Sequence, residues 1–132
     1  MEKKHFLVIS FLIVTLCACG ESPERRAIKV GEDGVLNALK DPDSAKFKDV
    51  YVMPQIGKDA GTEDSDYTVC GHVNSKNSFG GYTGYTRFVI HVIGGKAMEP
   101  VLEEAELSND VDGTDETNFE TMYWKNECIV WK

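Results

Sequence analysis

The chain has 132 residues, with 22 Asp and Glu against 14 Lys and Arg, a formal net charge of −8 and four cysteines. That length holds one small domain and not two. Charge of this sign excludes nucleic acid as a partner and argues against side chains holding the protein to an anionic lipid surface.

Chain order begins with Met1-Glu-Lys-Lys-His, two lysines, followed by an almost wholly apolar run from Phe6 to Leu16 and then Cys17-Ala18-Cys19-Gly20. This is the basic, apolar and small-residue sequence of a secretory signal. The run is too short to cross a bilayer core of ~30 Å as a helix, which takes ~20 residues. The site resembles a bacterial lipobox, with Leu16 and Ala18 ahead of Cys19. That resemblance implies a signal peptide over 1–18 and lipidation of Cys19. Gly20, where an aspartate would retain the protein at the inner membrane, implies sorting to the outer membrane, facing the periplasm. Acyl chains, not basic residues, would then be the membrane anchor. The alternative is an ordinary secretory signal cleaved nearby, with Cys19 left as a thiol.

Removing residues 1–18 leaves 114 residues and a charge of −9. With Cys19 lipidated, Cys70 and Cys128 remain, and in an oxidising compartment an even remainder reads as a disulfide. Closing that loop would disfavour the unfolded chain by about 4 kcal/mol on the chain-entropy argument. Two separately buried thiols are the alternative.

Residues 19–30, opening Gly20-Glu-Ser-Pro-Glu-Arg-Arg, read as a polar tether, and 31–132 as one domain. Helical periodicity starts near Gly31, with Val35, Leu36 and Leu39 on one face and Glu32 and Asp33 at the favourable N-terminal end. Asp41-Pro42 stops it. Asp43 is an N-cap candidate for a short helical turn that directs Phe47 inward. Val50 to Val52 is a short β-prone run, and residues 56–66 are loop-like. Tyr67–Val73 and Tyr85–Ile93 are the strongest strands, joined by a long Gly-rich hairpin. Gly94-Gly95 turns the chain into a third candidate strand over 97–102. Residues 108–116 read as a loop, and Thr114 or Asp115 could cap a second helix with Phe119, Met122 and Tyr123 on one face. Cys128–Lys132 reads as a strand or a docked tail. The expected class is α+β: an N-terminal helix, an antiparallel sheet of about four strands, a second helix near the C-terminus and one disulfide.

One stretch is distinctive: Cys70-Gly-His-Val-Asn-Ser-Lys-Asn-Ser-Phe-Gly-Gly-Tyr-Thr-Gly-Tyr-Thr-Arg-Phe88. It resembles a motif of a family of small proteobacterial secreted and lipoprotein sequences, CGxVNxKNSFGGYxGxxxF. Members often also carry DPxSAKF, here Asp41-Pro-Asp-Ser-Ala-Lys-Phe47. The resemblance spans residues 33–93 and implies a fold more than an activity. Some small outer-membrane lipoproteins of similar size protect their hosts from toxins, among them the immunity partners of type VI secretion phospholipases; the likeness to these is one of size and setting.

Gly80, Gly81 or Gly84 would supply positive φ in the hairpin, and Asn74 and Asn77 could satisfy its backbone. The hairpin reads both as a rigid structural reversal and as a binding surface made of Phe79, Tyr82 and Tyr85 with Lys76 and Arg87. A second candidate surface is acidic. From Glu99 to Glu120 there are nine Asp or Glu residues and no Lys, Arg or His. Glu103, Glu104, Glu106 and Asp110 would favour a basic partner, unless this is simply a solvated loop.

Catalytic and metal chemistry fare worse. Cys70, His72 and His91 could form a zinc set only at the expense of the disulfide, and a Cys-His nucleophile fails for the same reason. Ser75 and Ser78 lack a nucleophile-elbow pattern. Asp110 to Asp115 resembles a calcium loop, but aligning Gly113 as its central glycine puts Phe119 where a bidentate Glu is needed. The sequence therefore predicts no metal, no cofactor and no enzyme. It predicts an envelope lipoprotein that binds another protein, as an immunity or inhibitor protein against a toxin or hydrolase acting in the periplasm. The rival is a structural or accessory lipoprotein of an envelope or secretion assembly.

Overall fold

The computed structural model describes residues 20–53, 65–103 and 118–129. The signal, Cys19, most of the expected 56–66 loop, Glu104, Glu106, Asp110, the calcium-like stretch and the last three residues lie outside the described residues.

Helix α1 runs Pro23–Ala38, well ahead of the expected start at Gly31. Ser22 caps it: the residue is extended and its hydroxyl accepts from the Arg25 N–H at 3.3 Å, with Pro23 in the first turn. The expected tether over 19–30 thus gives way to helix at Pro23. The buried positions Ala27, Gly31 and Val35 recur every four residues. Alanine and glycine contribute little hydropathy, and Glu24, Arg25, Arg26 and Lys29 around them obscure the stripe. The small residues matter for distance. A Cβ added at Gly34 would come within 2.6 Å of Ala97 and Ile90, so the helix lies close on the sheet.

The sheet is antiparallel, with β1 (Lys46–Val52), β2 (Tyr67–Asn74), β3 (Thr86–Ile93) and β4 (Lys96–Ala97) side by side; β5 (Val101–Leu102) also pairs with β3. The expected 97–102 strand is therefore split. Met98 donates to the His91 carbonyl and Val101 pairs with Val89, leaving Glu99 and Pro100 together opposite Ile90. Proline cannot donate to a ladder, so the strand bulges there. A second bulge lies in β1, where Asp49 and Val50 oppose Gly71. Asp49 has φ 50°, a left-handed conformation that aspartate tolerates better than most residues. Ahead of β1, Pro42–Ser44 forms a 3₁₀ turn in which Asp43 caps nothing. Instead the Ser44 hydroxyl donates to the Asp41 carbonyl at 2.9 Å. Phe47 does turn inward, edge-on to Phe88 with ring centroids 5.9 Å apart.

Strand alternation gives the sheet two buried faces. Tyr67, Val69, Val73, Phe88, Ile90 and Val92 pack toward α1. Cys70 and Val89 point the other way, into a second cluster with Phe119, Cys128, Tyr51 and Trp124. Helix α2 (Glu120–Cys128) covers this side, wound as a π-helix. Its wider turn changes which residues meet the sheet. Phe119 and Cys128 are buried and Tyr123 packs beside them, but Met122, expected on the same face, is 61% exposed. The Cys70–Cys128 disulfide joins β2 to the end of α2. Tyr51 reinforces it, its hydroxyl donating to the Cys128 carbonyl at 2.7 Å. Burial pushes that phenol above its ordinary pKa. Among the described residues, no helix is long and apolar enough to cross a membrane.

Candidate functional site

The hairpin between β2 and β3 is held by its own hydrogen bonds. Lys76 and Tyr82 form the last bridge before the tip. Beyond it the Asn77 N–H donates to the Gly81 carbonyl at 2.9 Å, and the Gly80 N–H to the Asn77 carbonyl at 3.0 Å. The Asn77 side-chain oxygen accepts from the Phe79 and Gly81 N–H groups at 3.0 and 3.1 Å. One amide thus closes the turn from within, as asparagine side chains can. Of the three candidate glycines, Gly80 and Gly84 take positive φ and Gly81 does not. At the tip Phe79 is 96% exposed. A phenyl ring so open to water, on a turn so fully bonded, has no packing role in the domain.

Ser44 moors the hairpin to the body. Its hydroxyl accepts from the Lys76 N–H at 2.8 Å, and its carbonyl accepts from the Tyr82 hydroxyl at 2.9 Å. The Asp41–Phe47 segment and the Gly-rich motif, remote in sequence, are therefore one structural unit. Sequence reasoning missed Ser44, because only the fold brings it beside the hairpin.

Two further residues that sequence reasoning missed complete the surface. The Lys46 ammonium sits 4.5 Å from the Tyr82 ring centroid, with Lys76 at 5.9 Å from the same ring. Lys48 lies 5.9 Å from the Tyr85 ring. Lys48 also stands 3.7 Å from the exposed Asp49 carboxylate. Tyr82 and Tyr85 are both exposed. Lys46 and Lys48 alternate along β1, which was the signal available in sequence, but their approach to the tyrosines depends on strand register.

Arg87 and Glu103 leave the candidate binding set. Strand pairing places Lys48, His72 and Arg87 in one row across the sheet, and the Glu103 N–H donates to the Arg87 carbonyl at the end of that row. The Arg87 guanidinium donates to both Glu103 oxygens at 2.9 and 2.6 Å and to Glu120 at 2.5 Å. It also stacks near Phe119 and Trp124, 5.4 and 5.0 Å from their centroids. With two carboxylates and two rings around the guanidinium and its side chain only 24% exposed, Arg87 serves as a brace under α2 and leaves the hairpin surface. Its hydrogen bonds hold the Glu103 carboxyl below the usual carboxylate range, and Glu103 in turn pushes the arginine up. Of the expected acidic surface, Glu103 is committed inward, and the other three residues lie outside the described residues.

The imidazoles share the Cys70 face of the sheet, as their spacing implies. His91 lies 3.0 Å from the Glu127 carboxylate and 3.3 Å from the Thr68 hydroxyl, and His72 meets Trp124 edge-on at 5.7 Å. Cys70 is in the disulfide, and among the described residues no cluster of His, Cys, Asp and Glu is arranged to hold a metal ion. At the other end of the sheet a cavity of about 240 Å³ opens between the first turns of α1 and the strand ends, lined by Pro23, Arg26, Ala27, Val30, Tyr67 and Val92. Compared with known protein families, curated proteins and solved structures, the chain matches none.

Proposed function

We propose that this chain is a lipid-anchored envelope protein that works by binding another protein, as an inhibitor or immunity factor against a toxin or hydrolase acting in the periplasm. Phe79 carries the reading: it is 96% exposed at the tip of a turn that Asn77 and Ser44 hold in place. Covering such a ring is worth roughly 1.5–3 kcal/mol. The turn is already ordered, so little conformational entropy is lost when a partner does so. Aromatic side chains on a rigid support are the usual centres of binding energy in protein interfaces. The disulfide and the Arg87 brace support the same reading by making the body a stiff platform for the hairpin.

Deleting the gene should sensitise cells to a cognate toxin, and Phe79→Ser in the restored copy should fail to protect. Survival of the deletion strain beside toxin-delivering neighbours, with toxin entry demonstrated, rules the immunity role out. Anchoring is tested separately. Cys19→Ser or globomycin should block processing and membrane fractionation, and unchanged behaviour under both removes the lipid from the proposal.

A further inference from the structure

The lysines around the hairpin are anomalous in a chain of net charge −8. Lys46, Lys48 and Lys76 gather beside two exposed tyrosines, and Lys46 and Lys76 make no ion pair among the described residues. Asp49 partly offsets Lys48, and Asp41 and Asp43 belong to the neighbouring turn. Cation–π contacts at exposed sites are worth only about 0.5–1 kcal/mol each, and they leave most of an ammonium's hydrogen-bonding capacity unused. What they do achieve is placement: the cations are held against the rings instead of dispersing into solvent.

We infer that Lys46, Lys48, Lys76, Tyr82, Tyr85 and Phe79 form a docking surface for an acidic face of a partner protein, with Phe79 entering an apolar socket in that face. The inference rests on the protein-binding reading and gives the partner's contact region a sign opposite to the one the acidic segment implied. Charge complementarity is the first argument, since a local cation cluster on an anionic protein steers association toward acidic surfaces and away from basic ones.

Position is the second argument, and it separates a protein from a lipid surface. Helix α1 starts beside Tyr67 and Val92, where Pro23 and Ala27 line the cavity. It ends with Leu39 near Val73 and Thr86, at the base of the hairpin. The chain therefore enters the domain at one end of the sheet and the hairpin leaves from the other. The eight residues of β2 put about 26 Å between those ends. An anchor at Cys19, four residues before Pro23, would hold the entry end at the bilayer. Phe79 would then point away from the membrane, toward proteins of the periplasm.

The test places the photo-crosslinking residue p-benzoylphenylalanine at position 79 of the full chain and irradiates cells that produce it. A protein adduct is expected, but its charge dependence decides the inference. Combined Lys46→Glu, Lys48→Glu and Lys76→Glu should cut the adduct about tenfold or more, whereas the three corresponding Arg substitutions should preserve it. Resistance of each variant to limited proteolysis, at the level of the parent chain, confirms that it is folded. An adduct that the Glu variant leaves unchanged or increases overturns the acidic-face inference while leaving protein binding intact. Crosslinking to phospholipid instead assigns the surface to a membrane and overturns it as well. No adduct of either kind removes the binding reading itself, and this inference with it.

Discussion

Two clusters in this molecule pair cations with aromatic rings, and they have opposite fates. At the hairpin, Lys46, Lys48 and Lys76 lie against Tyr82 and Tyr85, with Lys46 and Lys48 exposed and Lys76 half-buried. On the same side of the sheet, Arg87 lies against Phe119 and Trp124, but three of its N–H groups donate to Glu103 and Glu120. The residue types are similar and the difference is satisfaction. A forked guanidinium gripping two carboxylates under a helix is a finished interaction and belongs to stability. Lys46 and Lys76, resting on a ring with no ion pair among the described residues, and Lys48, offset only by the exposed Asp49, are unfinished, and a partner can complete them.

Stability measurements should separate the clusters sharply. The largest loss should come on the braced side, where Cys128→Ser frees α2 from β2 and lowers unfolding free energy by about 2–5 kcal/mol in urea titration. Arg87→Met comes next. It leaves two partly buried carboxylates facing each other without their cation, and should cost about 2 kcal/mol; this is below the figure for fully buried pairs because water still reaches the site. A change under 0.5 kcal/mol would mean that the brace carries no stability and that the comparison fails.

Acid should distinguish the clusters too. The folded Glu103 carboxyl titrates below its ordinary value of 4.5, so it binds protons less readily than in the unfolded chain. Its stabilisation is therefore fully present above pH of about 4.5 and is lost as pH falls through the lower folded value. Glu103→Gln should flatten the decline in melting temperature between about pH 5 and about pH 3, a window that opens just above the free carboxylate's value and extends below it. The smallest stability effect belongs to Phe79→Ser, expected within about 0.5 kcal/mol of the parent because the ring packs against nothing. That same change should abolish partner capture. Large destabilisation with retained binding would reverse the roles assigned to the two clusters.

Legibility in the sequence followed how local the determining physics was. Strands β2 and β3 were readable because alternation is encoded residue by residue. The disulfide was readable by elimination among four cysteines. The first two turns of α1 were not, because Ala27 and Gly31 face the sheet through size and not through hydropathy. Met122 departs from its expected face because an i, i+3, i+4 pattern presumes α-helical winding, and α2 is wound more widely. Within the candidate surface, Phe79, Tyr82, Tyr85 and Lys76 could be picked out from the motif. Ser44, Lys46 and Lys48 join them only through the β1–β2 register, and Arg87 drops out through contacts with residues 16 and 33 positions further along the chain.

The grip of one arginine on Glu103 and Glu120 has a consequence for change over time. It brings the two ends of the intervening stretch to a single point, so the length of that stretch is decoupled from the geometry on either side. Closure entropy grows so slowly that doubling such a span costs only about 0.6 kcal/mol. With Glu103 fixed at one end and Phe119 and Glu120 at the other, a change in the number of residues between Glu103 and Asn118 should leave the sheet, α2 and the hairpin in position. A reporter or affinity tag inserted between Glu103 and Asn118 should therefore leave the melting temperature close to that of the parent chain.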